Sequence, residues 1–362
     1  MSKRKVILFI VSTFESGGIT QVLYNKCRNL DYSRFKVHIL SLSPEPANTQ
    51  IDKFKQIPVH LHSLNLSRIE ALFFLKSQLK NLVREINPDF IHTYTYRPSY
   101  YAWKFLGKYK RIVTLSSNLE PNYQRTYGKL LGSYIAKKEF LAFKNANIKT
   151  VVSKTLAGIY KEIPNIHVIQ NGADESVFFM PDSELKLNLR KKLHLDLNAK
   201  IYISVGALSP LKDPETVLKA FLQKEKNTNE ILLFLGEGSE LEKLKSMANE
   251  QVLFLGFKNN PHEYLQAADV FVSASHSEGL PNTVVEAAAC GLKCLLSDIS
   301  QHREIFPENG HQAEFFPIGN AKLLSELMSG QDYGFADKNF LLTAKRMTNA
   351  YMELYEKSMV QN

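Results

Sequence analysis

The segment Val270–Ser297, VFVSASHSEGLPNTVVEAAACGLKCLLS, decides the fold class of this chain. It opens with an apolar run, Val270–Ala274, that has the length and composition of a buried strand. A helix is predicted over Thr283–Cys290, with Gly291 as its C-terminal cap. A second buried strand, Cys294–Ser297, follows and is expected to close the sheet. Strand, helix and strand in this order predict a parallel sheet covered by helices.

The same alternation extends over nearly the whole chain. Further strands are predicted at Val6–Thr13, Phe35–Leu42, Phe90–His92, Ile112–Ser116, Lys149–Val152, Ile201–Gly206, Glu230–Leu235 and Val252–Leu255. Helices are predicted at Ile19–Leu30, Glu70–Ile86, Lys129–Lys144, Pro214–Leu222, Ser239–Glu250 and Pro261–Ala267. The pattern predicts an α/β protein with two doubly wound, Rossmann-like domains, 1–168 and 169–336, that enclose a cleft. An amphipathic helix at about 337–360 is expected to pack back toward the first domain.

Composition excludes several protein classes. The chain has 362 residues, of which 44% are hydrophobic and 22% charged, as in ordinary globular proteins. No apolar run reaches the ~18 residues that a membrane-spanning helix needs. Three cysteines cannot form a disulfide framework. We therefore expect a cytoplasmic protein with reduced thiols.

Charge is distributed unevenly between the two halves. Residues 1–180 hold 26 lysines and arginines against 12 acidic residues, whereas residues 181–362 hold 19 against 24. The densest basic stretch is 104–138, where tyrosines and other aromatic residues are interleaved. This mixture predicts peripheral contact with an anionic membrane, since each basic residue adds about 1 kcal/mol near acidic lipid. The alternative is a solvated basic face whose aromatic rings lie in the core, and nucleic acid is not expected.

Two loops that follow predicted strands carry residues suited to phosphate. Gly17 and Gly18 precede a helix, where small residues let the backbone approach a ligand and free N–H groups attract anions. Lys212 precedes Asp213 and Pro214, a favourable N-cap and first helical residue. An ammonium beside a helix N-terminus suits an anion such as a diphosphate. The alternatives are an ordinary glycine turn and one more surface lysine.

A third loop places two carboxylates eight residues apart. Glu278 lies in the loop after a strand, and Glu286 lies one to two turns into the following helix. Carboxylates accept hydrogen bonds from adjacent hydroxyls, which sugars and riboses present. The N–H groups of Gly279–Asn282 could hold further oxygens. The alternative is a loop glutamate and a helix glutamate with nothing between them.

At these motifs the chain resembles the retaining glycosyltransferases of family 4, which have the GT-B fold. The matching residues include Val205-Gly206, Lys212, Leu235-Gly236-Glu237-Gly238, Phe254-Leu255-Gly256-Phe257, Ala268-Asp269-Val270, Glu278-Gly279-Leu280-Pro281-Asn282, Glu286 and Glu304. The segment Val168–Asp174 is similar to the entry into the second domain, and Gly17-Gly18, His92 and Val152-Ser153 resemble the acceptor half more loosely.

The resemblance implies a role for each matching group. Lys212 would stabilise the departing diphosphate, Glu286 would hold the ribose, and Glu278 would orient the sugar. Gly17-Gly18 would close over the phosphates, and Gly256-Phe257 would meet the base. His92 would lie near the acceptor hydroxyl, with a structural histidine as the alternative. The implied catalytic residues are Lys212, Glu278 and His92; the implied donor-binding residues are Gly17, Gly18, Gly206, Lys212, Gly256, Phe257, Glu278, Gly279, Leu280, Pro281, Asn282 and Glu286.

The implied function is transfer of a hexosyl residue, with retention, from a nucleotide-sugar to a glycan or lipid-linked acceptor. We expect a role in bacterial polysaccharide, capsule or lipopolysaccharide synthesis at the inner face of the cytoplasmic membrane. The resemblance implies an enzyme that needs no cofactor or metal, and the sequence agrees, because it contains no Asp-x-Asp. Ala207 stands where the family commonly has an arginine, and Arg97 or Arg303 are candidates to replace that charge. The alternatives are a nucleotide-sugar epimerase or phosphorylase on the same scaffold, or a non-catalytic sugar-nucleotide-binding protein.

Overall fold

The chain folds into two compact α/β units. The computed structural model describes residues 4–224, 229–306, 312–330 and 342–360. Unit 1 comprises residues 1–171 together with 344–362, and unit 2 comprises residues 172–343. The sequence predicts the boundary at 168/169 and places the C-terminal helix with the first unit. The prediction of two doubly wound domains is confirmed.

Unit 1 is built on a seven-stranded parallel sheet with the order β3-β2-β1-β4-β5-β6-β7. Its strands are β1 (Lys5–Val11), β2 (Phe35–Ser41), β3 (Val59–Ser63), β4 (Phe90–Thr93), β5 (Lys110–Leu115), β6 (Ile148–Val151) and β7 (Ile166–Val168). Its helices are α1 (Gly18–Asn29), α2 (Ile51–Phe54), α3 (Arg68–Ile86), α4 (Tyr96–Phe105), α5 (Leu119–Tyr127), α6 (Lys129–Lys144) and α7 (Lys154–Ile159), with the C-terminal helix α15 (Ala344–Val360). Strand order reverses between β1 and β4.

Alternating side chains divide the core of unit 1 between the two faces of its sheet. Phe9 of β1 points to one face, where α1 and α15 pack through residues such as Leu23 and Tyr355. Leu8 of the same strand points to the other face, where α3 and α4 pack through residues such as Leu79. Helix α6 packs beside α4 and contacts α5. Two helix layers therefore cover the sheet: α1 and α15 on one side, and α3, α4 and α6 on the other.

Unit 2 repeats the design with a six-stranded parallel sheet of order β10-β9-β8-β11-β12-β13. Its strands are β8 (Lys200–Val205), β9 (Glu230–Leu235), β10 (Val252–Phe254), β11 (Val270–Ser273), β12 (Lys293–Ser297) and β13 (Ala313–Phe316). Its helices are α8 (Ser183–Lys192), α9 (Pro214–Gln223), α10 (Leu241–Met247), α11 (Pro261–Ala267), α12 (Asn282–Ala289), α13 (Ser300–Arg303) and α14 (Ala321–Ser329). Strand order reverses between β8 and β11.

The structure corrects some expectations about individual elements. The strand Cys294–Ser297 does not close the sheet of unit 2, because β13 pairs with β12 along its outer side. The edge strands β3 and β7 were not predicted, because each is short and only partly buried and so lacks the apolar run of a central strand. Residues 337–341 of the predicted C-terminal helix lie outside the described residues. Leu342 and Thr343 are not helical, so the helix begins at Ala344, later than predicted, and ends at Val360.

Candidate active site

The candidate site of unit 2 lies where its strand order reverses. Lys212 follows β8 and Glu278 follows β11, and these two strands are neighbours in the sheet. In an open parallel sheet the loops at such a reversal point diverge and leave a crevice at the carboxyl ends of the strands. The topology thus brings together two residues that are 66 positions apart in the chain.

Lys212 and Glu278 form a direct ion pair. The Lys212 Nζ lies 2.5 Å from the Glu278 Oε1. The lysine side chain keeps 29% of its surface exposed, and the glutamate keeps 10%. A water-shielded pair of this kind is held more strongly than an exposed one, because fewer water molecules screen the attraction. Sequence reasoning named both residues but did not foresee that they contact each other.

Two further contacts join the loop that carries Lys212 to the loop that carries Glu278. The His276 N–H donates to the Leu211 carbonyl oxygen at 2.9 Å. The His276 Nε2 lies 3.1 Å from the Asp213 Oδ2. Asp213 also accepts from the Thr216 N–H at 3.2 Å and so caps α9 from a left-handed backbone conformation, with φ of 46°. The two loops are therefore held in register by their backbones as well as by the ion pair.

Close backbone contacts between neighbouring loops explain two of the glycines near this site. A Cβ on Gly236 would lie 1.9 Å from the Gly206 carbonyl oxygen, and a Cβ on Gly238 would lie 2.2 Å from the Leu208 carbonyl oxygen. The Gly236 N–H in turn donates to the Gly256 carbonyl oxygen at 3.0 Å. The loops after β8, β9 and β10 thus stack edge to edge. No side chain larger than hydrogen fits between them.

The N-terminus of α12 and Glu286 lie next along the chain from Glu278. The residue before helix α12 is Pro281, which gives the helix no side-chain cap. The Glu286 carboxyl is half-buried and accepts no hydrogen bond from any residue that the structure describes. Burial alone raises the pKa of this carboxyl to about 8. Hydrogen bonds from the hydroxyl groups of a ligand would therefore stabilise this carboxyl group.

His302 is a buried residue near the ion pair that sequence reasoning missed. Its Nδ1 donates to the Ser297 carbonyl oxygen at 2.8 Å, and the Ser297 hydroxyl donates to the Ser275 carbonyl oxygen at 2.6 Å. Burial lowers the pKa of the His302 imidazole, so the ring is neutral at pH 7. Its Nε2 has no partner within the described ranges. The contacts connect the end of β12 to the loop before Glu278, a link that no local motif in the sequence indicates.

The predicted base contact, the two positions discussed for the second cation and one further matching motif take different places. Phe257 is exposed, and its N–H donates to the Glu237 Oε1 at 3.4 Å. Ala207 is exposed and supplies no cation. Arg303 does not replace that charge, because its guanidinium pairs with Asp298 at 2.5 and 2.8 Å. Asp269, from the Ala268-Asp269-Val270 motif, anchors α8 to the sheet through ion pairs with Lys186 and Arg190, each at 2.7 Å.

Unit 1 has a cavity at the corresponding position, beside the reversal between β1 and β4. It has a volume of about 550 Å³ and is lined by the loops after β1, β4 and β5, by the start of α1, and by α5 and α6. Gly17 and Gly18 form part of its wall. Gly17 is extended, and a Cβ there would meet no atom within 4 Å. Packing therefore does not require this glycine, which leaves the backbone open to a ligand.

A buried carboxylic acid lies in the wall of the unit 1 cavity. Glu139 of α6 is 2% exposed and accepts a hydrogen bond from the Tyr123 hydroxyl of α5. Burial raises the pKa of the Glu139 carboxyl to about 8, so it is mostly neutral at pH 7. Arg97 also lines the cavity, and its guanidinium donates to the Ser43 hydroxyl at 2.7 Å. The cavity therefore offers one cation and several hydroxyls.

His92 has a structural environment rather than a place in this cavity. The ring is fully buried, with Nδ1 2.8 Å from the Tyr355 hydroxyl and Nε2 2.7 Å from the Thr114 hydroxyl. Burial, reinforced by the nearby Lys26, holds the pKa of the imidazole well below its ordinary value. Both ring nitrogens are already bonded within the protein, so this geometry does not support the predicted contact with an acceptor. The ring instead connects the sheet to α15.

Family models match both units. The model for glycosyl transferases group 1 matches residues 186–329, and the model for glycosyltransferase family 4 matches residues 16–177. The first match covers the Lys212, Glu278 and Glu286 region of unit 2. The second covers Gly17, Gly18 and the part of the unit 1 cavity wall that follows residue 15. Together the two models account for most of the chain.

Several relatives are similar over much of their length. A Campylobacter jejuni N-acetylgalactosamine-N,N'-diacetylbacillosaminyl-diphospho-undecaprenol 4-alpha-N-acetylgalactosaminyltransferase is 25% identical over 80% of this chain and 75% of its own. The Staphylococcus aureus capsular polysaccharide biosynthesis glycosyltransferase CapH is 24% identical over 96% of this chain and 98% of its own. A Bacillus anthracis N-acetyl-alpha-D-glucosaminyl L-malate synthase is 27% identical, and this chain spans 59% of its length.

Solved structures support the same fold. The crystal structure of Anabaena HepE in complex with UDP and glucose has a TM-score of 0.73 at 17% identity, covering 99% of this chain and 97% of that one. A glycosyltransferase from Rickettsia africae has a TM-score of 0.74 at 15% identity, covering 99% and 100%. At this identity the likeness establishes the fold, and the family matches establish the enzyme class. The chain therefore belongs to glycosyltransferase family 4 and is a nucleotide-sugar-dependent glycosyltransferase with the GT-B fold.

Proposed function

We propose that this enzyme transfers a hexosyl residue, with retention of configuration, to a glycan or lipid-linked acceptor at the inner face of a bacterial cytoplasmic membrane. The relatives named for capsule synthesis and for transfer to a diphospho-undecaprenol acceptor support a role in cell-surface polysaccharide assembly. Among the residues that the structure describes, no helix has both the length and the apolar character needed to cross a bilayer. Peripheral contact through the basic region 104–138 is the attachment we propose.

The Lys212–Glu278 pair at the reversal point of the unit 2 sheet is the observation that carries the proposal. In sugar transfer the bond from the anomeric carbon to the diphosphate oxygen breaks, and the nucleoside diphosphate leaves with the electron pair. Negative charge therefore grows on the diphosphate in the transition state. An ammonium fixed at that point stabilises the transition state more than the ground state, which accelerates the reaction.

The ion pair suggests that Glu278 has different partners with and without the donor. Without donor, the carboxylate neutralises the Lys212 ammonium at 2.5 Å. When a diphosphate takes the ammonium, Glu278 is released to accept hydrogen bonds from sugar hydroxyls. Backbone N–H groups of Gly279–Asn282, at the start of α12, would hold further oxygens of the sugar. Binding of the donor thus exchanges an internal pair for two contacts with the ligand.

Glu286 and the loop after β10 complete the donor site that we propose. The Glu286 carboxyl, which lacks a donor from the described residues, would accept from the ribose hydroxyls. Gly256 and the exposed Phe257 would meet the base. The sequence has no Asp-x-Asp clamp for a divalent ion, so we assign charge stabilisation of the leaving diphosphate to Lys212. The cavity of unit 1, with Arg97 and Glu139 in its wall, would take the acceptor.

Substitution of the two key residues tests the donor site. Lys212→Ala and Glu286→Ala should each lower the transfer rate at least tenfold, which corresponds to about 1.4 kcal/mol or more in the transition state. The matched control is Lys245→Ala, since Lys245 forms an exposed ion pair with Glu242 at 3.0 Å on α10. Transfer is measured as release of nucleoside diphosphate with acceptor present. Turnover like that of the wild type in both variants would refute the site.

The stereochemistry is tested on the product. The anomeric proton coupling in the product, measured by nuclear magnetic resonance, should show the same configuration as the donor sugar. An inverted product would refute retention while leaving the Lys212 assignment intact.

A further inference from the structure

The outer face of α3 exposes large apolar side chains to solvent. Ile69, Leu72, Phe73 and Phe74 are exposed by 72%, 79%, 73% and 52%. They occupy the first two turns of the helix, before the buried residues Leu75, Leu79 and Val83, and Ile69, Leu72 and Phe73 have the i, i+3, i+4 spacing of neighbours on a helix surface. Isolated exposed apolar residues are common, but four together in two turns of one helix mark an interaction surface.

The start of α3 is a well-formed helix, so these side chains are held in a regular array. Ser67 accepts from the Glu70 N–H at 3.3 Å, and the Glu70 carboxylate accepts from the Ser67 N–H at 2.8 Å. This capping box satisfies donors that the first turn would otherwise leave unpaired. It also means that the carboxylate of Glu70, within the apolar group, is already hydrogen-bonded to the backbone.

Basic residues accompany the apolar group. Three basic residues of α3 are exposed near the apolar group. Arg68 precedes the group, Lys76 follows it, and Lys80 lies one turn further along the helix. The layer formed by α3, α4 and α6, together with α5, which contacts α6, carries eleven lysines and arginines against four glutamates, one of which is the largely neutral Glu139. Exposed apolar residues next to an excess of positive charge are typical of a helix that lies in the interface of an anionic bilayer.

A second exposed apolar group lies in the same helix layer. Tyr127 at the end of α5 and Leu130, Leu131 and Tyr134 at the start of α6 are each more than half exposed. Helix α6 packs beside α4, which shares its core cluster with α3. The opposite layer is different, since no large hydrophobic residue is among the exposed ones in the described parts of α1, α2 and α15.

Both groups lie toward the carboxyl edge of the unit 1 sheet, where the cavity opens. The segment before α3 is tied to that edge, since the Leu64 N–H donates to the Ser41 carbonyl oxygen at 2.9 Å, at the end of β2. Tyr127 lines the cavity and is also half exposed. The group at the start of α6 is therefore beside the cavity, and α3 begins at the same edge of the sheet.

We infer that the first two turns of α3, with the start of α6, insert their apolar side chains into an anionic lipid bilayer. This inference rests on the proposed function and extends it: the basic region attracts the membrane electrostatically, and α3 anchors the protein in it. The cavity then opens at the lipid surface. There it can receive the polar head of an acceptor whose lipid tail stays in the bilayer.

Vesicle binding tests the inference with paired variants. The probes are vesicles of phosphatidylcholine mixed equally with phosphatidylglycerol, and vesicles of phosphatidylcholine alone. Leu72→Glu and Phe73→Glu should each weaken binding to the mixed vesicles at least tenfold, because each replaces an inserted apolar group by a charge. The matched control is Leu187→Glu on α8 of unit 2, where Leu187 is exposed and should not matter. Unchanged thermal midpoints would show that the variants fold.

Fluorescence tests insertion directly. Trp103 is the single tryptophan of the chain, so Phe73→Trp in a Trp103→Phe background gives one reporter on α3. Its emission should shift to shorter wavelength with mixed vesicles, and brominated acyl chains should quench it. An unshifted reporter with binding that high salt abolishes would overturn insertion, because attachment would then be electrostatic only.

Three other outcomes also overturn the inference. They are absence of wild-type binding, equal binding of Leu72→Glu and the wild type, and a protein dimer in solution that Leu72→Glu dissociates. Hydrolysis of the nucleotide-sugar without acceptor is measured in parallel. Normal hydrolysis without vesicle binding removes the α3 inference alone, whereas vesicle binding without hydrolysis or transfer removes the proposed function.

Discussion

Unit 1 and unit 2 share one architecture and use it differently. Both are parallel sheets whose strand order reverses once, and both hold their candidate ligand residues in the loops at that reversal. In unit 2 these loops carry an ion pair and closely stacked glycine backbones. In unit 1 they surround a cavity lined largely by tyrosines and hydroxyls, beside helices that expose apolar residues. The comparison teaches that topology supplies the crevice, while the loop side chains decide what it binds.

The largest expected effect breaks the close loop packing of unit 2. In Gly236→Ala the new Cβ would lie 1.9 Å from the Gly206 carbonyl oxygen, at a residue with φ of 141°. The loops after β8 and β9 must separate, which we expect to cost about 3 kcal/mol or more. Nucleotide-induced thermal stabilisation should be lost as well, because the loop that carries Lys212 begins at Gly206.

A second glycine of unit 2 separates the clash from backbone strain. Gly319 also has a positive φ, 72°, but a Cβ there would meet no atom within 4 Å. Gly319→Ala should therefore cost only about 1 kcal/mol and leave nucleotide binding intact. Far-ultraviolet circular dichroism follows both units, whereas Trp103 fluorescence follows unit 1. Equal effects of the two variants would contradict the role given to the loop contact.

The next effect concerns acid stability in unit 1, where three histidines lie together at the sheet edge. The His38 ring stacks on His60 and His62, with centroids 4.7 and 5.1 Å apart. Burial, followed by repulsion from His60, His62 and Lys36, lowers the pKa of His38 to about 4, and Glu85 also acts on His62. Unfolded histidine has a pKa near 6.5, so the unfolded chain takes up a proton first as pH falls.

Stability should therefore be lost as pH falls from about 6.5 to about 4, because the unfolded state binds more protons in that window. At about pH 5 the His38 contribution is up to about 2 kcal/mol relative to neutral pH. His38→Gln should flatten this part of the profile, whereas the matched change at the exposed His167 should not. Urea titrations followed by Trp103 fluorescence measure it. A His38→Gln profile as steep as that of the wild type would contradict the assignment.

The smallest expected effect is a pH dependence of donor binding in unit 2, through Glu286. The Glu286 pKa of about 8 means that the carboxyl is mostly protonated at pH 7. Ribose hydroxyls that donate to it would favour the ionised form, so binding should strengthen as pH rises and level off above about pH 8. The expected change is up to about tenfold per pH unit below that point.

Binding of a nucleotide-sugar is the suitable measurement, since its diphosphate has no group that titrates near pH 8. Calorimetric titrations between about pH 7 and pH 9 should show this rise in the wild type. Glu286→Gln should bind more weakly and without the rise. A slope that persists in Glu286→Gln would assign the titration to another residue.

The sequence predicted most of the central elements, because buried parallel strands are continuous apolar runs and the helices between them have apolar residues at helical spacing. It missed β3, β7 and β13, whose burial is partial and whose pattern is weak. At the site it named Lys212 and Glu278 from their positions after strands. It predicted an acceptor contact for His92 partly on the same ground. In the structure both ring nitrogens of His92 are instead hydrogen-bonded to Tyr355 and Thr114, which come from distant parts of the chain.

The sequence by itself determined the two doubly wound units, the enzyme family and the basic character of the first half, since these depend on local patterns and composition. Only the tertiary structure decided that Lys212 contacts Glu278, that His92 is enclosed, and that α3 exposes its apolar residues. Each of these depends on which distant segment covers a side chain. Sheet order and helix packing determine which segment covers which side chain. The spacing of hydrophobic residues along one helix does not predict this.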